Sequence, residues 1–254
     1  LPLYERLDPV KPVFKISFGK FSIAVVCLPL LSFLFCIIWC LLFFFERSTS
    51  THCDVKNYLP SISAAIGNYQ PQRLVWQLAI CIHFVPRLVI ALMYVQYYEE
   101  IIRKNRRQFA YLACALNIIE NIALLGLSLW TSSADYDVHK VCFVTFIAMS
   151  EIYMLVVYLL NKNGRKMRQM TKIEKYSLTC KRNLFLVNLT SFACAAYSFM
   201  RHNWYCEAGV YTVFALAEYS VVLTNMGYHM TSYWDFAGRS IAFDWVRGLY
   251  FDHI

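Results

Sequence analysis

His83, Arg87, Glu120, Glu151 and Glu218 are ionisable residues set inside long apolar stretches of the chain. A charge in hydrocarbon is costly, so each must face protein or a water-filled cavity. His83 and Arg87 are four apart and share a helix face. Pro86 between them frees the carbonyl of Ile82 and bends the helix. Asn117 and Asn121 flank Glu120 at i−3 and i+1, where they can orient its carboxylate. Glu218, Asn225 and His229 stand at i, i+7 and i+11 and, with Val222, form one stripe on a further helix. The chemistry open to such a set is proton transfer. A His or Glu takes a proton from a hydroxyl while an Arg or Asn holds developing oxyanion charge. The competing role is interhelical hydrogen bonding, worth about 0.6–2 kcal/mol per contact.

One Arg faces three carboxylates in this set, and His83 can add a second positive charge. Gathering the groups satisfies more of them than scattering them does, because each unpaired charge costs several kcal/mol. The expectation is that His83, Arg87, Glu120 and Glu218 converge on one intramembrane cavity wide enough for an acyl chain or headgroup. For Glu151 and Asn188 the expectation is packing. The chain has no His-x-x-x-x-Asp box, Gly-x-Ser-x-Gly elbow, P-loop or His-Glu-x-x-His. His83, Glu120, Glu218 and His229 carry metal-donor atoms, but Glu218 and His229 are about 16 Å apart along one helix. No metal site and no cofactor are assigned.

The elements that hold these residues are membrane spans. The chain is 254 residues long, 59% hydrophobic and 16% charged, against about a quarter charged in soluble domains. This marks an all-α, polytopic membrane protein. Six transmembrane helices are expected, at roughly 21–45, 74–97, 109–131, 139–161, 183–201 and 209–233. They make one bundle over 21–233, between an N-terminal segment 1–20 and a C-terminal tail 234–254. The first span lacks a small-x-small cleavage site and reads as an uncleaved signal anchor. Trp76, Trp130, Trp204 and Trp234 fall near span ends, as interfacial anchors should.

Basic residues set the orientation. Arg6, Lys11, Lys15 and Lys20 precede the first span, Arg103, Lys104, Arg106 and Arg107 fill loop 98–108, and loop 162–182 carries eight more, including Lys166, Arg168 and Lys181. The alternate loops, 46–73, 132–138 and 202–208, are poorer in Lys and Arg. Both termini are therefore expected in the cytosol, with the tail along the cytosolic surface. The net charge of +8 is then a topology signal, suited to anionic headgroups and not to nucleic acid.

Of ten cysteines, only Cys53 and Cys206 fall in non-cytosolic loops. Two cysteines in an oxidising lumen suggest a disulfide between the first and last lumenal loops. Two free thiols, or a partnership with Cys142, are the alternatives. The sequon at Asn188 lies inside the fifth span and is not expected to be glycosylated. Arg201 and His202 sit at headgroup depth, where they could grip a lipid phosphate or serve as plain interfacial anchors.

Several wordings run in a consistent order: THCDVKNYLPSISAAIG at 51–67, PQR at 71–73, His-x-x-Pro-Arg at 83–87, Asn-x-x-Glu-Asn at 117–121, and RHNWYCEAGVYTVFALAEYSVVLTNMGYHMTSYWDF at 201–236. They resemble the post-GPI-attachment-to-proteins factor 2 family of Golgi membrane proteins. The resemblance implies a Golgi factor, with the ER as a second location, in remodelling the lipid of GPI anchors. Members are needed to put a saturated acyl chain back on a lyso-GPI protein. The implied partners are lyso-GPI-anchored proteins, membrane lipids and other GPI-remodelling enzymes; the acyl donor is unknown. In the catalytic form, an acyltransferase, His83, Arg87, Glu120 and Glu218 are the reacting groups. Asn117, Asn121, Arg201, His202, Asn225 and His229 then hold the lipid. In the weaker form the protein only presents the lipid to another enzyme. A lipid or ion transporter, or a scaffold without ligand, is the alternative class, since midplane charges and a Pro-bent helix suit transport too.

Overall fold

The computed structural model of the protein describes residues 12–166 and 169–253. Arg6, Lys11 and Arg168, counted above among the loop cations, lie outside the described residues. Strand β1, Phe14–Ser17, leads into helix α1, Phe18–Phe43. Two short helices follow, α2 (Phe45–Thr49) and α3 (Ile62–Gly67). The long helices α4 (Gln72–Ile101), α5 (Arg107–Leu129), α6 (Tyr136–Asn163), α7 (Lys172–Tyr205) and α8 (Val210–Met230) come next. The short α9 (Ser232–Asp235) and strands β2 (Arg239–Asp244) and β3 (Gly248–His253) close the chain.

Among the described residues, five segments, α1, α4, Lys104–Leu129, α6 and α7, are long and apolar enough to cross a membrane. The protein is thus a nearly all-helical polytopic membrane protein. The sixth long helix, α8, has 21 residues, about 31 Å. Its polar stripe dilutes its hydropathy, so α8 owes its place to packing against α7 and α1. The neighbours are α1 with α4, α4 with α5, α5 with α6, and α7 with α8. A Cβ on Gly126 of α5 would stand 2.7 Å from Cys142 Sγ of α6, so the glycine lets these two helices close up. The α6–α7 contact is much sparser than either flanking pair.

Two sequence expectations need correction at the basic end of the bundle. Helix α7 starts at Lys172, well before residue 183, because Thr171 and Glu174 form a reciprocal capping box. Lys181, counted as a loop cation, is buried: its Nζ lies 2.6 Å from Asp235 Oδ2 and 2.7 Å from Ser177 Oγ. The tail, for its part, is built into a sheet. Strands β1, β2 and β3 form an antiparallel sheet with Phe14 opposite Phe243 and Ser17 opposite Ser240. Phe18 stacks on Phe236 at 3.9 Å between ring centroids, within a cluster that includes Tyr94, Tyr98 and Ile241. The sheet thus joins residues before α1 to the tail.

Candidate functional site

At the opposite end of the bundle, Cys53 and Cys206 are disulfide-bonded with Cα atoms 5.2 Å apart. Cys206 caps α7 in the left-handed region at φ 50°, a conformation non-glycine residues adopt sparingly. His202 is buried beside it, with Nε2 3.0 Å from Thr51 Oγ1. Arg201 donates a two-pronged pair to Glu207 at 2.7 and 2.9 Å. Its hydrogen bonds hold the Glu207 carboxyl below the usual carboxylate range. Arg201 and His202, expected to grip a phosphate, thus already have partners within the chain.

The middle of the bundle holds a tight polar knot. Glu120 is fully buried, and its Oε1 lies 3.3 Å from Arg87 Nη2, 3.1 Å from His229 Nε2 and 3.0 Å from Asn225 Nδ2. Arg87 Nη2 also reaches Asn117 Oδ1 at 3.0 Å and His229 Nε2 at 2.9 Å. The His229 nitrogen can accept from the guanidinium or donate to the carboxylate, but not both at once. Asn225 Nδ2 extends the knot to Ser150 Oγ at 2.7 Å. Helices α4, α5, α6 and α8 are thereby tied at one depth. Asn121 stands aside and donates to Phe84 O at 3.0 Å, two residues before Pro86 on α4.

Glu218 does not join this knot, contrary to the expected convergence of four groups. Eight residues into α8, its Oε2 accepts from the Ile62 backbone N–H at 3.0 Å. Tyr219 donates to Pro60 O at 2.5 Å. Together they pull α3 down between the helices. The reason for the separation is axial. Glu218 and His229 share a stripe but lie about 16 Å apart along it. Asn188 donates to Val221 O at 2.8 Å and Thr224 Oγ1 at 2.9 Å, a packing role. Neither oxygen of Glu151 has a hydrogen-bond partner among the described residues, so the interhelical bond expected of it is not formed.

Knot and stripe share one cavity of about 360 Å3, within the range of small-ligand sites, about 300–1,000 Å3. His83, Arg87, Asn225 and His229 line its deep end, and Glu218 and Ser63 its disulfide end. The walls between are apolar, with Phe146 and Phe143 from α6 facing Phe192 and Ala196 from α7. On α8 alone the lining runs from Phe214 to His229, about 22 Å at ~1.5 Å per residue. The rim residues Phe199 and Met200 are also 42% and 45% exposed on the outer surface. The cavity is long, narrow and greasy, with its wall at the sparse α6–α7 contact. Glu120 is not on the wall.

The sequence reading missed one pair entirely. Ser63, on α3, has its Oγ 3.1 Å from His139 Nε2. His139 Nδ1 lies 2.8 Å from the carbonyl of Trp130 at the end of α5. A carbonyl only accepts, so Nδ1 carries a proton, and in the singly protonated ring Nε2 can accept from the Ser63 hydroxyl. No linear motif joins residues 76 apart. The one available signal was a histidine in the first turn of α6.

A bundle of long apolar helices around an elongated, largely apolar cavity defines a polytopic membrane protein. Residues 17–238 match the Frag1/DRAM/Sfk1/Cwh43P N-terminal domain. A Drosophila pseudoobscura pseudoobscura protein named Post-GPI attachment to proteins factor 2 is 57% identical over 251 residues, 98% of each chain. A Xenopus tropicalis protein named Acyltransferase PGAP2 is 43% identical over 231 residues, 90% of this chain and 91% of its own. Protein cwh43 of Schizosaccharomyces pombe is 25% identical over 71% of this chain, using 17% of its own length. No solved structure matches. The chain belongs to the post-GPI-attachment-to-proteins factor 2 family.

Proposed function

We propose that this protein is a Golgi membrane factor in the remodelling of GPI-anchor lipid, with the ER as a second location. It takes part in reacylating lyso-GPI-anchored proteins with a saturated chain. The carrying observation is the long apolar cavity with a polar group at its disulfide end and a wall at the α6–α7 contact. An acyl chain fits such a space, and the bilayer delivers it from the side. The disulfide end is lumenal in this reading and both termini are cytosolic, so the glycan and protein of the anchor stay in the lumen. Family relatives carry names that refer to GPI attachment and to acyl transfer, which agrees with this assignment.

The knot around Glu120 fixes the deep end of the cavity. Its residues meet a chain terminus there and not a headgroup, so Arg87, Asn225 and His229 shape the cavity while Glu218 marks the mouth. His83, on the wall with Nδ1 unpartnered among the described residues, is the deep group still open to a ligand.

The test is purified protein in vesicles, supplied with a lyso-GPI-anchored protein and a phospholipid bearing a labelled saturated chain. Transfer of label to the anchor is the expected result. Should the purified protein transfer nothing while cells lacking it still lose reacylation, the protein presents the lipid to another enzyme. Normal anchor lipid in cells lacking it would sink the proposal in both forms.

A further inference from the structure

We propose that Ser63 is the nucleophile of an acyl-transfer centre at the disulfide end of the cavity, with His139 as its general base. This rests on the reading of the cavity as an acyl-lipid site.

Three observations carry it. First, Ser63 lines the cavity and its hydroxyl is within hydrogen-bond reach of His139 Nε2, at 3.1 Å. Second, the imidazole is held by a third group. Trp130 O takes the Nδ1 proton at 2.8 Å, and so fixes the tautomer that can accept from serine. A carbonyl does here the orienting work that a carboxylate does in serine hydrolase triads. Third, Ser63 itself is located by two ties on the residues around it. Glu218 accepts from the Ile62 N–H at 3.0 Å, and Ser61 Oγ accepts from the Ala64 N–H at 3.2 Å. Glu218 is thus a positioning residue: it sets α3, and with it Ser63, against α8.

The chemistry balances without an external oxidant or reductant. The donor is a membrane phospholipid, which needs no carrier to reach a lateral cavity. Ser63 Oγ attacks the carbonyl carbon of its acyl ester as His139 Nε2 takes the hydroxyl proton. The bond from that carbon to the donor glycerol oxygen breaks, and the departing alcohol takes the proton from His139. The chain is now an ester on Ser63. The free hydroxyl of the lyso lipid then attacks this ester, giving its proton to His139. Ser63 leaves and recovers that proton. The chain stays in the apolar cavity between the two half-reactions, so only the small glycerol ends exchange at the mouth.

The experiment treats the full-length protein in vesicles with a fluorophosphonate bearing a long alkyl chain, and maps labelled residues by peptide mass spectrometry. Wild type should be labelled at Ser63 and Ser63→Ala should not. His139→Gln, which keeps a polar side chain but is no base, should slow labelling about 10²-fold or more. Its melting temperature should stay close to wild type. Ser63→Cys, given the labelled phospholipid, should trap the chain as a thioester that neutral hydroxylamine releases. An unlabelled Ser63 in the wild type, or equal labelling in His139→Gln, overturns the proposal. So does full reacylation by Ser63→Ala, which leaves the GPI-lipid reading standing. Labelled Ser63 with no transfer to the lyso-GPI protein does the reverse: the centre stands and its acceptor is another lipid.

Discussion

The cavity has two polar ends, and they are built on opposite principles. The deep end gathers a guanidinium, a carboxylate, an imidazole and two amides within hydrogen-bond distance. The disulfide end offers a neutral hydroxyl and a neutral imidazole, with one carboxylate bonded to a backbone amide. The ionised end attracts attention in the sequence, yet its charges are spent on each other, and Glu120 does not reach the cavity wall. The neutral end is inconspicuous in the sequence, yet it leaves a proton acceptor next to a hydroxyl on the wall. In a low-dielectric interior, charge density reports what the fold must neutralise. Reactivity needs a group that is held in place and still has a bond to make.

Glu120→Ala tests this contrast with the largest expected effect. It strands the Arg87 charge among four helices and should destabilise the bundle by about 3–5 kcal/mol, read as loss of folded protein after detergent extraction. Arg87→Met combined with Glu120→Leu should recover much of that loss, since no lone charge remains. If Glu120→Ala instead left the protein stable and only lowered transfer, the deep end would be the reacting one. Cys53→Ser should cost about 2–5 kcal/mol of thermal stability while leaving transfer by the surviving folded protein intact. A fall in transfer without a fall in melting temperature would tie the disulfide to the chemistry.

Ala196→Phe fills the middle of the cavity and touches neither polar end. Transfer of a long chain should fall at least tenfold and transfer of a short one much less, with an overpacking cost of about 1–3 kcal/mol. Equal losses for both chain lengths would detach the cavity from the acyl chain. The smallest effect belongs to Arg201–Glu207. The Glu207 carboxyl is held below its ordinary value, so its contribution is present above the unfolded carboxylate range, about pH 4.3. It is lost as pH falls through the lower folded value. Glu207→Gln should leave the melting temperature at neutral pH nearly unchanged and remove a small part of its decline under acid. A large neutral-pH effect would mark the Arg201 pair as part of the working end.

By itself the sequence determined the class of the protein, because a polar backbone in hydrocarbon must be helical and long apolar runs leave no other solution. It placed most of the long helices to within a few residues, though not the start of α7, and singled out Cys53 and Cys206 by elimination along the chain. It also placed Glu218, Asn225 and His229 on one stripe, since helix periodicity is local. Tertiary structure decided what that stripe meets: His229 and Asn225 meet Glu120, while Glu218 meets the amide of Ile62. It decided that β1 pairs with a strand more than two hundred residues away, a match that four residues of pattern cannot encode. It paired Lys181 with Asp235 and Ser63 with His139. Local spacing fixes which side of an element a residue lies on. Only the packing of elements fixes what lies opposite, and for the proposed centre that is the difference between a loop serine and a nucleophile.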